Sequence, residues 1–123
     1  MAMVKTFRDL IAWQKGMHLA KQVYLLTRKM PGEERFGLTN QMRRAAVSIP
    51  SNIAEGHARQ SRMDYLKFLR TSRGSLAELM TQFEIAWDLK MIPFNQPLQE
   101  LLQEEDRILQ ALIRSLENKV TQK

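Results

Sequence analysis

The densest chemistry-bearing stretch is residues 59–73, RQSRMDYLKFLRTSR, with five bases and one acid, Asp64. Cations in a row attract phosphate and release the counterions condensed along a nucleic acid. With Arg59 set at 0° and about 100° per residue, Arg59, Arg62, Lys67, Arg70 and Arg73 fall within an arc of about 140°. They would form a ridge about 20 Å long, nearly clear of the apolar side. Arg outnumbers Lys four to one, which suits bidentate contact with phosphate oxygens. Arg43 is expected to be exposed near the same end of the molecule and to assist, with Arg44 pointing about 100° away from it. No base-reading motif accompanies these residues, so contact would be directed to backbone and shape. Rows of like charge also arise simply as solvated helix faces, and that reading stands beside the first.

Other candidate chemistry is sparse. His18 and His57 belong to no H-E-x-x-H pattern and to no Glu-x-x-His pair of the di-iron bundle type. Glu55 and His57 are two apart and point in different directions on a helix. There is no G-x-S-x-G, P-loop or G-x-G-x-x-G. No catalytic residue, metal site or cofactor is therefore expected, and the chain reads as a non-enzyme. Cys is absent, which removes thiol nucleophiles, disulfides and Cys-ligated metals and suits a reducing, cytoplasmic setting. Trp13, Tyr24, Met80, Phe83 and Trp87 sit at the spacing that fills bundle cores or interfaces, not at that of a cofactor pocket.

A polar set interrupts the apolar pattern of the second segment. Asn52 lies on an apolar face, and Arg44, Ser48, Ser51 and Glu55 form a row beside it. Arg44 and Glu55 are about 16 Å apart along a helix axis and cannot pair with each other. Two readings stay open. One is a hydrogen-bond network supporting a break at Pro50. The other is a register-setting device at a subunit seam.

The elements that must position these residues are helices. Apolar residues recur at 3–4 spacing almost everywhere between Gly and Pro positions, predicting helices at about 7–30, 39–58, 61–91 and 97–120. Thr6 with Asp9 and Ser61 with Asp64 have capping-box spacing, while Asn95 and Pro97 suit the start of the fourth helix. The apolar side of the first helix, including Trp13 and Gly16, covers nearly half its circumference. That width calls for a second contact, within the bundle or with another subunit. The second helix carries small residues such as Ala45, Ala46, Ser48, Ser51, Ala54 and Gly56, and Pro50 should kink it. Gly74 lowers the propensity of the third helix by about 1 kcal/mol relative to Ala. Leu98, Leu101, Leu102, Ile108, Leu109, Leu112, Leu116 and Val120 line the fourth. The link from Pro31 to Leu38 is the longest and has room for an extra helical turn.

Short links between long helices force antiparallel neighbours, so the expected fold is all-α, an up-down-up-down four-helix bundle. Its 123 residues form a single domain, 1–123, with short flexible ends at 1–5 and 121–123. No apolar run approaches the roughly 20 residues of a membrane span, and the amino terminus lacks the pattern of a secretory signal. The net charge of +6 is uneven. Residues 1–73 carry fourteen Lys/Arg and five Asp/Glu, whereas 74–123 carry five and eight. Such asymmetry can mark a binding face.

The segment RRAAVSIPSNIAEG (43–56) resembles the signature of the small bacterial bundle proteins found as reading frames in intervening sequences of 23S ribosomal RNA genes. FRDLIAWQKGMHLA (7–20), FGLTNQMRRA (36–45) and YLKFLRTSRGSLAELMTQFEIAWDLKMI (65–92) resemble the same family, so nearly the whole chain is covered. Ser72 departs from it, since Ala is frequent there. That family is related to the accessory protein of diversity-generating retroelements, which acts beside a reverse transcriptase. The resemblance implies a homo-oligomer of four-helix bundles, a pentameric ring, with a basic surface suited to RNA or DNA. The combined expectation is a non-enzymatic, nucleic-acid-binding bundle whose helix faces, with Trp13, Gly16, Arg44, Ser48, Pro50, Asn52, Glu55 and Gly56, make structural or subunit contacts. The alternative is a protein-binding adaptor that docks a reverse transcriptase or another acidic partner.

Overall fold

The structure is a computed structural model describing residues 3–121, with side chains described through residue 119. Four helices carry the chain: α1 Ile11–Thr27, α2 Leu38–Ala58, α3 Arg62–Asp88 and α4 Gln96–Thr121. Each packs on its neighbours in chain order, and α4 closes the ring against α1. Among the described residues, the diagonal pairs α1–α3 and α2–α4 have no close backbone approach. Residue 16 of α1 faces 49 and 50 of α2, and residue 15 faces 104 of α4. Ile49 in turn meets Ser72, while Gly56 meets Tyr65 and Phe68. Chain direction thus alternates around the ring, and the fold is the all-α, up-down-up-down four-helix bundle.

The ends of the helices show how local chemistry shapes the bundle. The Thr6–Asp9 capping box forms, with Thr6 Oγ1 accepting from the Arg8 amide and Asp9 Oδ2 accepting from the Lys5 and Thr6 amides. It caps a separate 3-10 turn, Phe7–Asp9, and Leu10 is then extended. The expected first helix, 7–30, is therefore two pieces, and α1 starts at Ile11 without a side-chain cap. It stops at Thr27 because Pro31 disfavours helical geometry at Met30, and the last amides make shorter i→i−3 bonds. The 31–38 link holds a 3-10 turn, Gly32–Glu34, as its length suggested. Ser61 caps α3 by accepting from the Asp64 amide, and Asn95 Oδ1 caps α4 by accepting from Leu98.

Helix α2 passes through Pro50 without interruption, and α3 passes through Gly74. The carboxyl end of α3 falls at Asp88, short of the expected 91. Lys90 adopts φ 57°, its amide bonds to the Trp87 carbonyl, and the Met91 amide reaches back to Ala86. That is a Schellman closure with a lysine in the left-handed position usually given to glycine. Of the ends expected to be flexible, residues 3–5 form no regular element and Thr121 is the last residue of α4. Residues 1–2 and 122–123, and the side chain of Val120, lie outside the described part.

The core is built from Leu19, Val23, Met42, Ile49, Ile53, Leu69, Leu76, Leu79, Phe83, Leu102 and Leu109, all fully excluded from solvent. Trp13 and Trp87 pack half-buried at its margin. Among the described residues, no helix is long and apolar enough to cross a membrane.

Candidate nucleic-acid interface

Helix α3 carries Arg62, Lys67, Arg70 and Arg73, all exposed. Arg59 does not belong to that helix. It is the extended C-cap residue of α2, with φ −74° and ψ 153°, so helical phasing cannot be run from it. Its guanidinium lies 4.9 Å over the Phe68 ring and pairs with Glu55 of α2 at 3.1 Å. The single ridge expected from 59 to 73 is thus divided, with Arg59 on the α2 side and Arg70 and Arg73 turned to α4.

Carboxylates hold two more members of the row. Arg70 pairs with Glu117 at 2.6 Å and Arg73 with Asp106 at 2.9 Å, both across to α4. Arg62 and Lys67 take part in no ion pair among the described residues. An open groove of about 610 Å³ runs between α3 and α4, with Arg70 and Arg73 on one wall, Arg114 on the other, and Gly74, Ala77 and Ile113 among its apolar lining. Arg114 was missed by the sequence reading because α4 as a whole is acidic. Only the antiparallel pairing of the two helices brings it to the row.

Arg43 is placed differently from expectation. It is half-buried, its Nε donates to Thr27 Oγ1 at 2.8 Å, and its guanidinium covers the Tyr24 ring at 4.9 Å. Thr27 passes the chain on by donating to the Val23 carbonyl at 2.7 Å. Arg43 therefore fastens α2 to the last turns of α1. It lies about 24 Å along the α2 axis from Arg59, toward the opposite end.

The segment 43–56 supplies the inner structure of α2. Ser48 Oγ lies 2.8 Å from Ser75 Oγ of α3, and Asn52 Nδ2 donates to both the carbonyl and the hydroxyl of Ser48. Ser72 Oγ donates to the Ile49 carbonyl at 2.9 Å. This polar set lies within the bundle, with Arg44 and Ser51 exposed outside it. Gly56 is a close-approach site: a Cβ there would stand 2.8 Å from Phe68 Cβ and 3.3 Å from the Tyr65 carbonyl.

The family model of the 23S rRNA-intervening sequence protein matches residues 8–114. The chain belongs to that family. No curated protein matches it.

This 23S rRNA-intervening sequence family member also leaves an apolar groove of about 620 Å³ between α1 and α2. Phe7, Trp13, Met17, Val47 and Pro50 are among the residues that line it. Tyr24, Leu25 and Val47 remain 43%, 48% and 42% exposed there. The wide apolar side of the first helix is thus only partly consumed by its packing on α2 and α4. Trp13 meets Phe7 edge-on at 5.1 Å across the start of this groove.

One buried group escaped the sequence reading altogether. Glu105 of α4 is 0% exposed, and neither carboxyl oxygen has a hydrogen-bond partner. Burial, reinforced by the neighbouring Glu104 carboxylate, pushes its pKa up to about 8, with Lys15 pulling the other way. Glu104 itself pairs with Lys15 of α1 at 2.9 Å, which holds its carboxyl below the ordinary range. A Cβ on Gly16 would stand 2.9 Å from Glu105 Oε2, so glycine makes the room for this carboxyl. The signal was present in the spacing. Leu98, Leu102, Leu109, Ile113 and Leu116 are buried at 3–4 intervals, and position 105 fills the gap in that series. His57 meets the Tyr65 ring edge-on at 5.7 Å, and His18 is exposed. Among the described residues, no three His, Asp or Glu side chains gather as a metal site.

Proposed function

We propose that the protein is a non-enzymatic, homo-oligomeric bundle that binds the backbone of RNA or DNA through the exposed cations of α3. The observation that carries this reading is the set Arg62, Lys67, Arg70 and Arg73 on one helix, joined by Arg114 across the groove. Arg62 and Lys67 make first contact, while Arg70 and Arg73 exchange their carboxylates for phosphates. Arg59 contributes from the α2 side, and Arg43 assists only by holding α2 against α1. Membership of a family described by 23S rRNA intervening sequences supports an RNA-related role. The exposed apolar groove of α1 and α2 supports assembly, and a second copy of the chain is the partner proposed for it, in a ring that the family resemblance makes pentameric. Assembly would multiply the cation row by the number of subunits. The protein would act in the cytoplasm.

Binding to structured RNA and to duplex DNA across a salt series tests the proposal. Log affinity should fall linearly with log salt, by about 0.9 per phosphate neutralised on duplex DNA. Arg62→Glu with Lys67→Glu should weaken binding at least tenfold for all sequences alike. A flat salt response, or no binding at low salt, would sink the reading. Light scattering tests assembly separately, and a monomer would refute it.

The adaptor reading keeps one specific support: two of the cations already hold carboxylates, the groups an acidic protein partner would offer. A clean protein absorbance spectrum together with a captured acidic partner, such as a reverse transcriptase, would favour it.

A further inference from the structure

Helix α2 loses one main-chain bond at its centre. Pro50 has no amide hydrogen, so the Ala46 carbonyl lacks the donor that a helix supplies four residues on. Ala46 is 0% exposed, which keeps water from making up the loss. An unpaired buried carbonyl is costly, and such groups are nearly always satisfied. Two other carbonyls beside the proline already receive side-chain donors. Asn52 Nδ2 serves the Ser48 carbonyl, and Ser72 Oγ serves that of Ile49. Both come from the α3 side of α2. Ala46 and Pro50 lie on the other side, toward α1.

The group found on that side is Glu105. Its Oε2 lies 2.9 Å from the open Cβ position of Gly16, and the same point is 3.4 Å from Pro50 Cβ and 3.5 Å from Ile49 Cγ2. The carboxyl of α4 and the Pro50 turn of α2 thus both come up to the same bare stretch of α1 backbone at Gly16. A carboxylate there would face a carbonyl with no proton between them. A carboxylic acid brings the missing donor.

We propose that Glu105 carries its proton in the folded protein and donates it to the Ala46 carbonyl, replacing the hydrogen bond removed by Pro50 and locking α4 to α2 across the core. Gly16 is the clearance that lets the lock close. The inference is independent of nucleic-acid binding. The charged groups around Glu105 fit it: Glu104 on α4 disfavours a second negative charge, Lys15 of α1 is engaged by Glu104, Asp106 is turned out to Arg73 of α3, and α2 offers Ile49 and Pro50.

Carbon-13 NMR on the full chain, labelled at Glu side chains and Ala carbonyls, tests this directly. The Glu105 resonance, assigned by its loss in Glu105→Gln, should titrate with a midpoint near 8. The Ala46 carbonyl should shift with the same midpoint and stand still in Glu105→Gln, whose amide keeps a donor but cannot titrate. Glu105 titrating with the surface glutamates, or an Ala46 carbonyl indifferent to pH, would overturn the proposal. A second variant, Pro50→Ala, restores an amide opposite Ala46. It should lower the Glu105 midpoint by about one unit, because the neutral acid then shares its acceptor. An unchanged midpoint would show that the proton goes elsewhere.

Discussion

At the scale of single residues, the buried carboxyl of Glu105 ties the folding of the bundle to pH. Burial holds its acid form well above the ordinary carboxylate range, whereas in the unfolded chain it titrates at about 4.3. Between these values the folded protein binds a proton that the unfolded chain lacks. Its contribution to stability therefore falls as pH rises from about 4.3 and levels off beyond about 8. The slope is at most about 1.4 kcal/mol per pH unit. Glu105→Gln should remove it, so denaturant midpoints of the variant should stay flatter than those of the wild type between pH 5 and 8. Parallel profiles would mean that Glu105 is ionised in the folded state. A glutamate in an apolar series reads as solvated from composition. Its place in the gap of the leucine series was the one local signal of its burial, and the room that Gly16 makes for it is visible only in the fold.

At the scale of elements, the signals read correctly were those with a local cause. Ser61 and Asn95 cap because a side-chain oxygen three residues from an orphan amide needs no tertiary help. The Thr6–Asp9 box formed too, but it closed a 3-10 turn, and nothing in its spacing distinguishes that from the first turn of α1. The end of α3 was invisible because Lys90 occupies a left-handed position without announcing it. Lys90→Gly should stabilise the bundle by about 1 kcal/mol by relieving that conformation, measured by chemical denaturation. A loss of stability would mean that the lysine side chain contributes more than its backbone costs. Gly56→Ala should act in the opposite direction, by about 1–3 kcal/mol, since its Cβ would press on Phe68 and the Tyr65 backbone. Tolerance of alanine there would refute the close approach of α2 and α3.

For the whole molecule, the bundle was legible because four amphipathic segments with short links permit few arrangements. The disposition of charge was not. The row on α3 looked free in one dimension, yet folding brings Asp106 and Glu117 of α4 onto two of its arginines. The acidic second part of the chain is in this sense a built-in competitor for the basic first part. Asp106→Asn with Glu117→Gln should therefore raise affinity for RNA about tenfold at low salt and steepen the salt dependence. Unchanged affinity would place Arg70 and Arg73 outside the contact surface.

Residues 104, 105 and 106 are three consecutive acids with three different destinations: Lys15 on α1, the core beside Gly16, and Arg73 on α3. Consecutive residues project about 100° apart, so together they span about 200° of the circumference of α4. A stripe of leucines repeats every turn, and a helix held by leucines alone can twist or slide to an equivalent seat. Three unlike neighbours cannot all be satisfied after such a move. The triplet works as a combination with one solution, giving α4 a unique rotational setting that its hydrophobic side could not specify. That setting is also what brings Arg114 to the groove opposite Arg70 and Arg73.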